Sequence, residues 1–170
     1  MEVTHFDCYL SLGSNIGDKL ANLNKAIREI ESRIGKIKTV SSIYETEPWG
    51  YESDNQYFNC VVLVATQLSA TKLLKETQEI EKELGRLKTQ HYTDRTIDID
   101  ILLIDNLIIN EDNLQIPHPH ITKRDFVLYP LAEINPHLVI NKHFLTIEQA
   151  QKNLNKTLIS KLIGIKLELL

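Results

Sequence analysis

Hydrophobic and polar residues alternate from Phe6 to Leu12, with Phe6, Cys8, Leu10 and Leu12 set against Asp7, Tyr9 and Ser11. A period of two sends successive side chains to opposite faces, so this run predicts a strand. A turn over Gly13–Gly17 follows, and Asp18 stands where a helix N-cap is wanted. Leu20, Leu23, Ile27, Ile30 and Ile34 then recur at helical spacing, with Gly35 as the stop signal. Two further strands are predicted, from about Ile37 to Glu45 and from Tyr57 to Thr66. The long connection between them is interrupted by Pro48 and Gly50. The nearly unbroken apolar run Cys60–Ala65 suits a central strand. Ser69 caps a second predicted helix that buries Ala70, Leu73, Leu74, Thr77, Ile80 and Leu84 and stops at Gly85. Lys72 stands where a reciprocal capping box needs Glu or Gln.

The next run, Asp94 to Asp105, organises the rest. Alternation places Ile97, Ile99, Ile101 and Leu103 on one strand face and Asp98 and Asp100 on the other, where Leu102 and Ile104 continue it. Paired acids beside such an apolar continuation need water, a cation or a hydrogen-bond network.

Strand, helix, strand, strand, helix, strand is the order that results. It predicts an α+β fold, a ferredoxin-like antiparallel sheet covered by helices, with a C-terminal extension. In the extension we expect a short strand at Leu107–Ile109 and a loop stiffened by Pro117 and Pro119. A brief helix between Thr122 and Leu131, stopped near Pro130, should follow. Another should begin at the capping-box spacing Thr146–Gln149, and one more should occupy Asn155–Leu162. At 170 residues, one domain spanning 1–170 is expected.

Composition narrows the class without identifying it. The apolar share of 42% is that of an ordinary globular chain, and a formal charge of -4 gives no global case for nucleic acid or an acidic membrane. Cys8 and Cys60 lie among apolar neighbours and read as buried thiols. Neither a signal peptide nor a spanning segment is indicated, so a cytoplasmic protein is expected.

Residues two apart on a strand are separated by roughly 6.6 Å, within reach of one or two hard cations for a pair of short carboxylates. A solvated strand face explains the same pattern. Arg95, Arg86, Lys88 and His91 supply positive groups nearby; phosphate oxygens or local acids such as Asp94, Asp98 and Glu83 are the competing partners. Trp49, Tyr51, Tyr57 and Phe58 can frame a flat ring beside the donors and acceptor of Asn59, or some of them can serve the core. His118 is better placed for a phosphate or adenine than for zinc, because no supporting Cys/His set accompanies it.

Taken in order, several blocks resemble the 6-hydroxymethyl-7,8-dihydropterin pyrophosphokinases of folate biosynthesis. They are Leu12-Gly-Ser-Asn15, Ser41 to Gly50, Tyr57-Phe-Asn59, Gln78 to Arg86, Asp94-Arg-Thr-Ile-Asp-Ile-Asp100 and Ile116-Pro-His118. The resemblance implies transfer of pyrophosphate from ATP to the pterin hydroxymethyl group, with AMP released. It implies Mg²⁺, two ions, bound by Asp98 and Asp100, and charge stabilisation by Arg86 and Arg95. For ATP it implies Gln78, Glu81, Lys88, His91, Ile101, His118 and Arg124. For the pterin it implies Thr46, Trp49, Tyr57, Asn59, Tyr92 and Phe126. A monomer is the family expectation.

Some positions depart from the pattern of one branch of that family. His91 and Tyr92 replace Arg and Trp, the loop carrying them is one residue shorter, and Pro119 replaces Tyr. A different Mg²⁺-dependent phosphoryl or nucleotidyl transferase would use the same acid pair without preferring a pterin. A ferredoxin-like ligand sensor would bind a ring without making AMP.

Overall fold

A computed structural model describes residues 5–87, 93–140, 144–154, 159–162 and 167. Its central sheet has the order β5 (Asp98–Ile104), β1 (Phe6–Ser14), β4 (Tyr57–Thr66), β3 (Tyr44–Thr46) and β10 (Ile159–Lys161). β2 (Gly35–Val40) also pairs with β4, and every pairing is antiparallel. With α1 (Lys19–Arg33) and α2 (Ala70–Glu83) between strands, this is the expected α+β architecture. β4 is central, as its apolar run requires.

The even positions of β1, Cys8, Leu10 and Leu12, join Cys60, Val62 and Val64 of β4 beneath α1 and α2. Both helices form for local reasons as well as for burial. Asp18 accepts the Ala21 N–H at 2.9 Å, and Ser69 accepts the Lys72 N–H at 3.4 Å. Gly85 ends α2 with φ +90°, a conformation that L side chains rarely adopt. Gly35 plays another part: it opens β2, and a Cβ there would lie 2.1 Å from the Ala65 carbonyl oxygen. It permits close strand approach rather than capping α1.

The opposite sheet face is shared. Tyr9, Val61, Leu63, Leu102 and Leu103 pack under α3 (Asp125–Ile134) and α4 (Ile147–Lys152). Beyond that patch the same face carries Ser11, Asn59, Asp98 and Asp100, so the second helical layer stops where polar chemistry begins.

Strict alternation in β5 fails after Asp100. Leu10 pairs with Ile101 but Tyr9 pairs with Leu103, leaving Leu102 as an extra, bulged residue. The predicted facing is therefore corrected: Leu103 joins Leu102 in the second core, and Ile104 joins Ile97, Ile99 and Ile101 in the first.

Other boundaries moved for identifiable reasons. The predicted Ile37–Glu45 strand divides into β2 and β3, and Ser41 between them exchanges two bonds with Val61 of β4, each 2.9 Å long. The short strand expected at Leu107–Ile109 is β6 (Ile109–Glu111), paired with β7 (Leu114–Ile116). α3 continues through buried Pro130 to Ile134, where packing in the second core outweighs the lost N–H donor. The Thr146–Gln149 capping box is present at the start of α4, just after the short hairpin of β8 (Val139–Ile140) and β9 (Leu145–Thr146). Part of the helix expected at Asn155–Leu162 is instead strand, because Ile159–Lys161 adds to the β3 edge; residues 155–158 lie outside the described set. Among the described residues no helix is long and apolar enough to cross a membrane.

Candidate active site

Asp98 and Asp100 leave β5 on the same face, opposite Gly13 and Ser11 of β1. On one side of them is a narrow slot lined by Thr46, Trp49, Tyr57, Asn59, Arg124 and Phe126, among others. On the other is a wider cleft whose walls include Gln78, Glu81, Arg86 and Ile99. Arg95 and Asp100 line both, so the two spaces meet at the acids. The slot is narrow and walled by rings, and the cleft is the roomier of the two. A small flat ring suits the first, and something as long as a nucleotide suits the second.

Each acid is held by arginine. Asp98 Oδ1 lies 2.7 Å from Arg86 Nη1, and its Oδ2 accepts from Arg95 Nη1 at 2.8 Å. Asp100 Oδ2 accepts from Arg124 Nη1 at 3.1 Å and lies 3.9 Å from His118 Nε2. Burial, then the like charge of Asp98, pushes the Asp100 carboxyl up to about 6 against the pull of Arg124 and Arg86. A further cation there would relieve that penalty.

Glu81 explains how Arg86 is aimed. It occupies the buried side of α2 and accepts both from Arg86 and from the Ile99 N–H, the latter at 2.6 Å. Burial raises its carboxyl to about 7, with Arg86 opposing and Asp98 adding to the shift. Burial, then Arg124 and His120, lowers His118 to about 4, leaving a neutral ring at pH 7. His118 Nδ1 accepts the His120 N–H at 3.1 Å, and the His118 N–H donates to the Leu102 carbonyl at 2.9 Å.

The slot is polar at one end and aromatic along its sides. Asn59 is 4% exposed and donates to Thr46 Oγ1 at 2.8 Å. Gly13 is required beside it, since a Cβ would meet Asn59 Oδ1 at 2.9 Å. Phe126 supplies one ring, and Trp49 stands between Arg124, whose guanidinium carbon is 4.6 Å from its centroid, and His120 at 5.4 Å. Phe58 does not frame this space: it lies on the other strand face against the helical core, because it alternates with Tyr57 and Asn59.

Of the residues read from sequence, Thr46, Trp49, Tyr57, Asn59, Arg95, Asp98, Asp100, Arg124 and Phe126 gather at the slot. Gln78, Glu81 and Arg86 reach the cleft, and His118 stands beside Asp100. The Ile101 side chain is turned into the first core and lines neither space. Lys88, His91 and Tyr92 lie outside the described residues. Tyr51, read from sequence as a possible ring-framing residue, also lines the slot, whereas sequence reasoning does not single out Ser11, Gly13 or Asn15 as site residues. The β1 alternation could have exposed Ser11 and Gly13, because they stand opposite Asp100 and Asp98.

The donor chemistry fits Mg²⁺. Two carboxylates provide hard oxygen, and no group of three or more His, Cys, Asp or Glu side chains assembles among the described residues. Mg²⁺ is commonly held by one or two carboxylates together with substrate phosphates and water.

An antiparallel α+β fold with an arginine-flanked acid pair where a ring slot meets a wider cleft suits a phosphoryl-group transferase. Residues 9–136 match the sequence profile of the 7,8-dihydro-6-hydroxymethylpterin-pyrophosphokinases. The chain is similar to the 2-amino-4-hydroxy-6-hydroxymethyldihydropteridine pyrophosphokinase of Porphyromonas gingivalis, 44% identical over 134 residues that cover 76% of this chain and 91% of that one. The Bacillus subtilis protein of that name is 46% identical over 127 residues, covering 74% of this chain and 76% of its own. In fold it is similar to wild-type Plasmodium falciparum HPPK-DHPS with pteroate, at TM-score 0.75 and 18% identity. That match covers 89% of this chain but 45% of the longer one. This chain belongs to the 7,8-dihydro-6-hydroxymethylpterin-pyrophosphokinase family. It is an enzyme of ATP-dependent pyrophosphoryl transfer to hydroxymethyldihydropterin, and family membership implies use of Mg²⁺.

Proposed function

We propose that Asp98 and Asp100 hold two Mg²⁺ ions and that the reaction takes place between the slot and the cleft. The carrying observation is the shared boundary: Arg95 and Asp100 belong to both spaces. The slot takes the dihydropterin, with Asn59 and Thr46 at its polar edge and Phe126, Tyr57 and Trp49 along its faces. The cleft takes ATP, with Gln78 and Glu81 on its wall and His118 and Arg124 beside Asp100. Lys88 and His91 complete the nucleotide set, and Tyr92 the pterin set, by the family pattern.

Bound Mg²⁺ supplies charge neutralisation along the triphosphate and orients the acceptor hydroxyl. The chain's own residues do the rest. Tyr57, Asn59 and Phe126 hold the pterin so that its hydroxymethyl oxygen faces the β-phosphorus. A bond forms between those atoms as the bond from the β-phosphorus to the α–β bridging oxygen breaks, and AMP departs with that oxygen. The hydroxyl gives up its proton as it attacks, and the proton passes to solvent water, directly or through the Asp98 carboxylate. Arg86 and Arg95 stabilise the negative charge developing on the transferred group and leaving oxygen. Glu81 keeps Arg86 at the cleft wall. No enzyme nucleophile is needed.

We read the chain as a monomer with a single domain over residues 1–170; among the described residues the slot and the cleft are built from one continuous sheet with its helices and loops. Free, buried Cys8 and Cys60 and the ATP substrate fit a cytoplasmic enzyme. The test is incubation with ATP, Mg²⁺ and the dihydropterin alcohol, separating AMP from ADP. AMP made only when the pterin is present is the expected result. ADP instead, or nucleotide turnover indifferent to the pterin, would overturn the assignment.

A further inference from the structure

Asn15 follows the last residue of β1 and is 3% exposed, yet its polar atoms reach two separate segments. Its backbone N–H donates to the Arg95 carbonyl at 3.1 Å, and its Oδ1 accepts the Arg95 N–H at 2.7 Å. That two-point clamp fixes the backbone from which the Arg95 guanidinium projects. From the same side chain, Nδ2 lies 2.8 Å from Asp94 Oδ1, 3.1 Å from the Tyr51 hydroxyl and 3.2 Å from the Asn55 carbonyl.

Those contacts lead into the ring slot. The Tyr51 hydroxyl is 2.8 Å from the Tyr57 hydroxyl, and both rings line the slot. Asp94 binds the loop a second time through the Asn55 side chain. Burial opposes ionisation of Asp94, but hydrogen bonds from Asn55, Ser53, Asn15 and Tyr51 hold its carboxyl below the ordinary carboxylate range. It is therefore an anion tied at several points. Asparagine suits the centre of this arrangement because one planar group offers an acceptor to Arg95 and donors to the loop. Aspartate would lack those donors, and serine is too short to meet both sides.

We propose that Asn15 is a positioning residue that couples occupation of the ring slot to the setting of Arg95 beside the nucleotide cleft. The inference rests on the assignment of dihydropterin to the slot and ATP to the cleft. A ring that presses on Tyr51 and Tyr57 shifts a hydroxyl held by Asn15, and Asn15 holds Arg95 on its other side. Such coupling is reciprocal, so each ligand changes the affinity of the other by the same factor.

The test uses the full chain, Mg²⁺, the dihydropterin alcohol and α,β-methylene-ATP, whose bridge does not cleave, in titration calorimetry. In the parent enzyme saturating dihydropterin should tighten the nucleotide analogue by about fivefold or more, and in Asn15→Ser that factor should fall below about twofold. Tyr51→Phe removes the hydroxyl that links Tyr57 to Asn15 while leaving the Asn15–Arg95 clamp and the Asn55 contacts in place, and should lose coupling likewise. If Asn15→Ser does not fold, Tyr51→Phe decides alone. Absence of coupling in the parent enzyme overturns the proposal. So does a folded variant that melts earlier but keeps the full factor, because Asn15 is then only structural. A chain that makes no AMP overturns the assignment of the site, whereas a competent enzyme with coupling intact in both variants overturns only this inference.

Discussion

Arg86 reaches Asp98 Oδ1 at 2.7 Å while remaining fastened to Glu81, so one guanidinium joins a buried acid of α2 to a reaction-facing acid of β5. Asp98 meets Arg95 through its other oxygen. The acids and arginines are thus two parts of one charge arrangement, and substitutions in it should separate stability from turnover.

Replacing either Asp98 or Asp100 by alanine should reduce kcat by about 100-fold or more, since each variant loses a carboxylate proposed to hold the Mg²⁺ that neutralises phosphate charge. Circular dichroism should remain near that of the parent. In Asp98→Asn, loss of the like charge should also lower the Asp100 carboxyl, readable by carbon-13 NMR. Near-normal kcat at saturating Mg²⁺ would remove the substituted acid from its role.

Arg86→Ala should harm both quantities. Losing a donor aimed at the transferred group lowers kcat by about 10²–10³-fold, while leaving Glu81 buried without its cation destabilises the fold by about 3 kcal/mol. The double variant Arg86→Ala/Glu81→Gln should recover most of the stability and none of the turnover. Urea denaturation alongside AMP assays checks this, and recovery of turnover would show that Arg86 acts only structurally.

The pH dependence has two opposite signs. Asp100 is raised from 3.8 to about 6, so its contribution to ligand-free stability is full below 3.8 and is lost as pH rises through about 6. His118 is lowered from 6.5 to about 4, so its contribution is present above 6.5 and is lost as pH falls through about 4. Relative to Asp100→Asn, the parent melting temperature should fall between pH 4 and 6; relative to His118→Gln, it should rise between pH 4 and 6.5. Mg²⁺ affinity should weaken below about pH 6, with protons released on binding, because the ion needs ionised Asp100. Affinity independent of pH across that range would contradict the ligand assignment.

Phe126→Ala should raise the KM for dihydropterin by about 10- to 100-fold, corresponding to about 1–3 kcal/mol of lost stacking, with a smaller change in the KM for ATP. Trp49→Ala should act in the same direction but less, since Trp49 is 38% exposed. Equal effects on both KM values would mean that the slot is not specific to the pterin.

Much of this was legible because local pattern and tertiary need agree. The alternation of β1 and β4, the Asp18 and Ser69 caps and the Asp98/Asp100 facing each follow from a few neighbouring residues. The misses have a different origin. Glu81 is named only through the family resemblance; it lies four residues beyond Thr77 on a buried stripe, and counting only apolar side chains does not reveal that burial. Asn15 and Tyr51 matter through partners some 36 to 80 residues away, a distance over which spacing carries no signal. Gly35 could be read as a stop because its close approach to Ala65 appears only once β2 and β4 are paired.

The bulge at Leu102 carries a consequence for length variation. Deleting that residue would leave Ile101, Leu103 and Ile104 in regular alternation, each still facing its present core. What would go missing is the carbonyl that receives the His118 N–H. A chain one residue shorter there should keep its strand order, but it would lose a fully buried leucine from the second core and release the backbone of His118 beside Asp100.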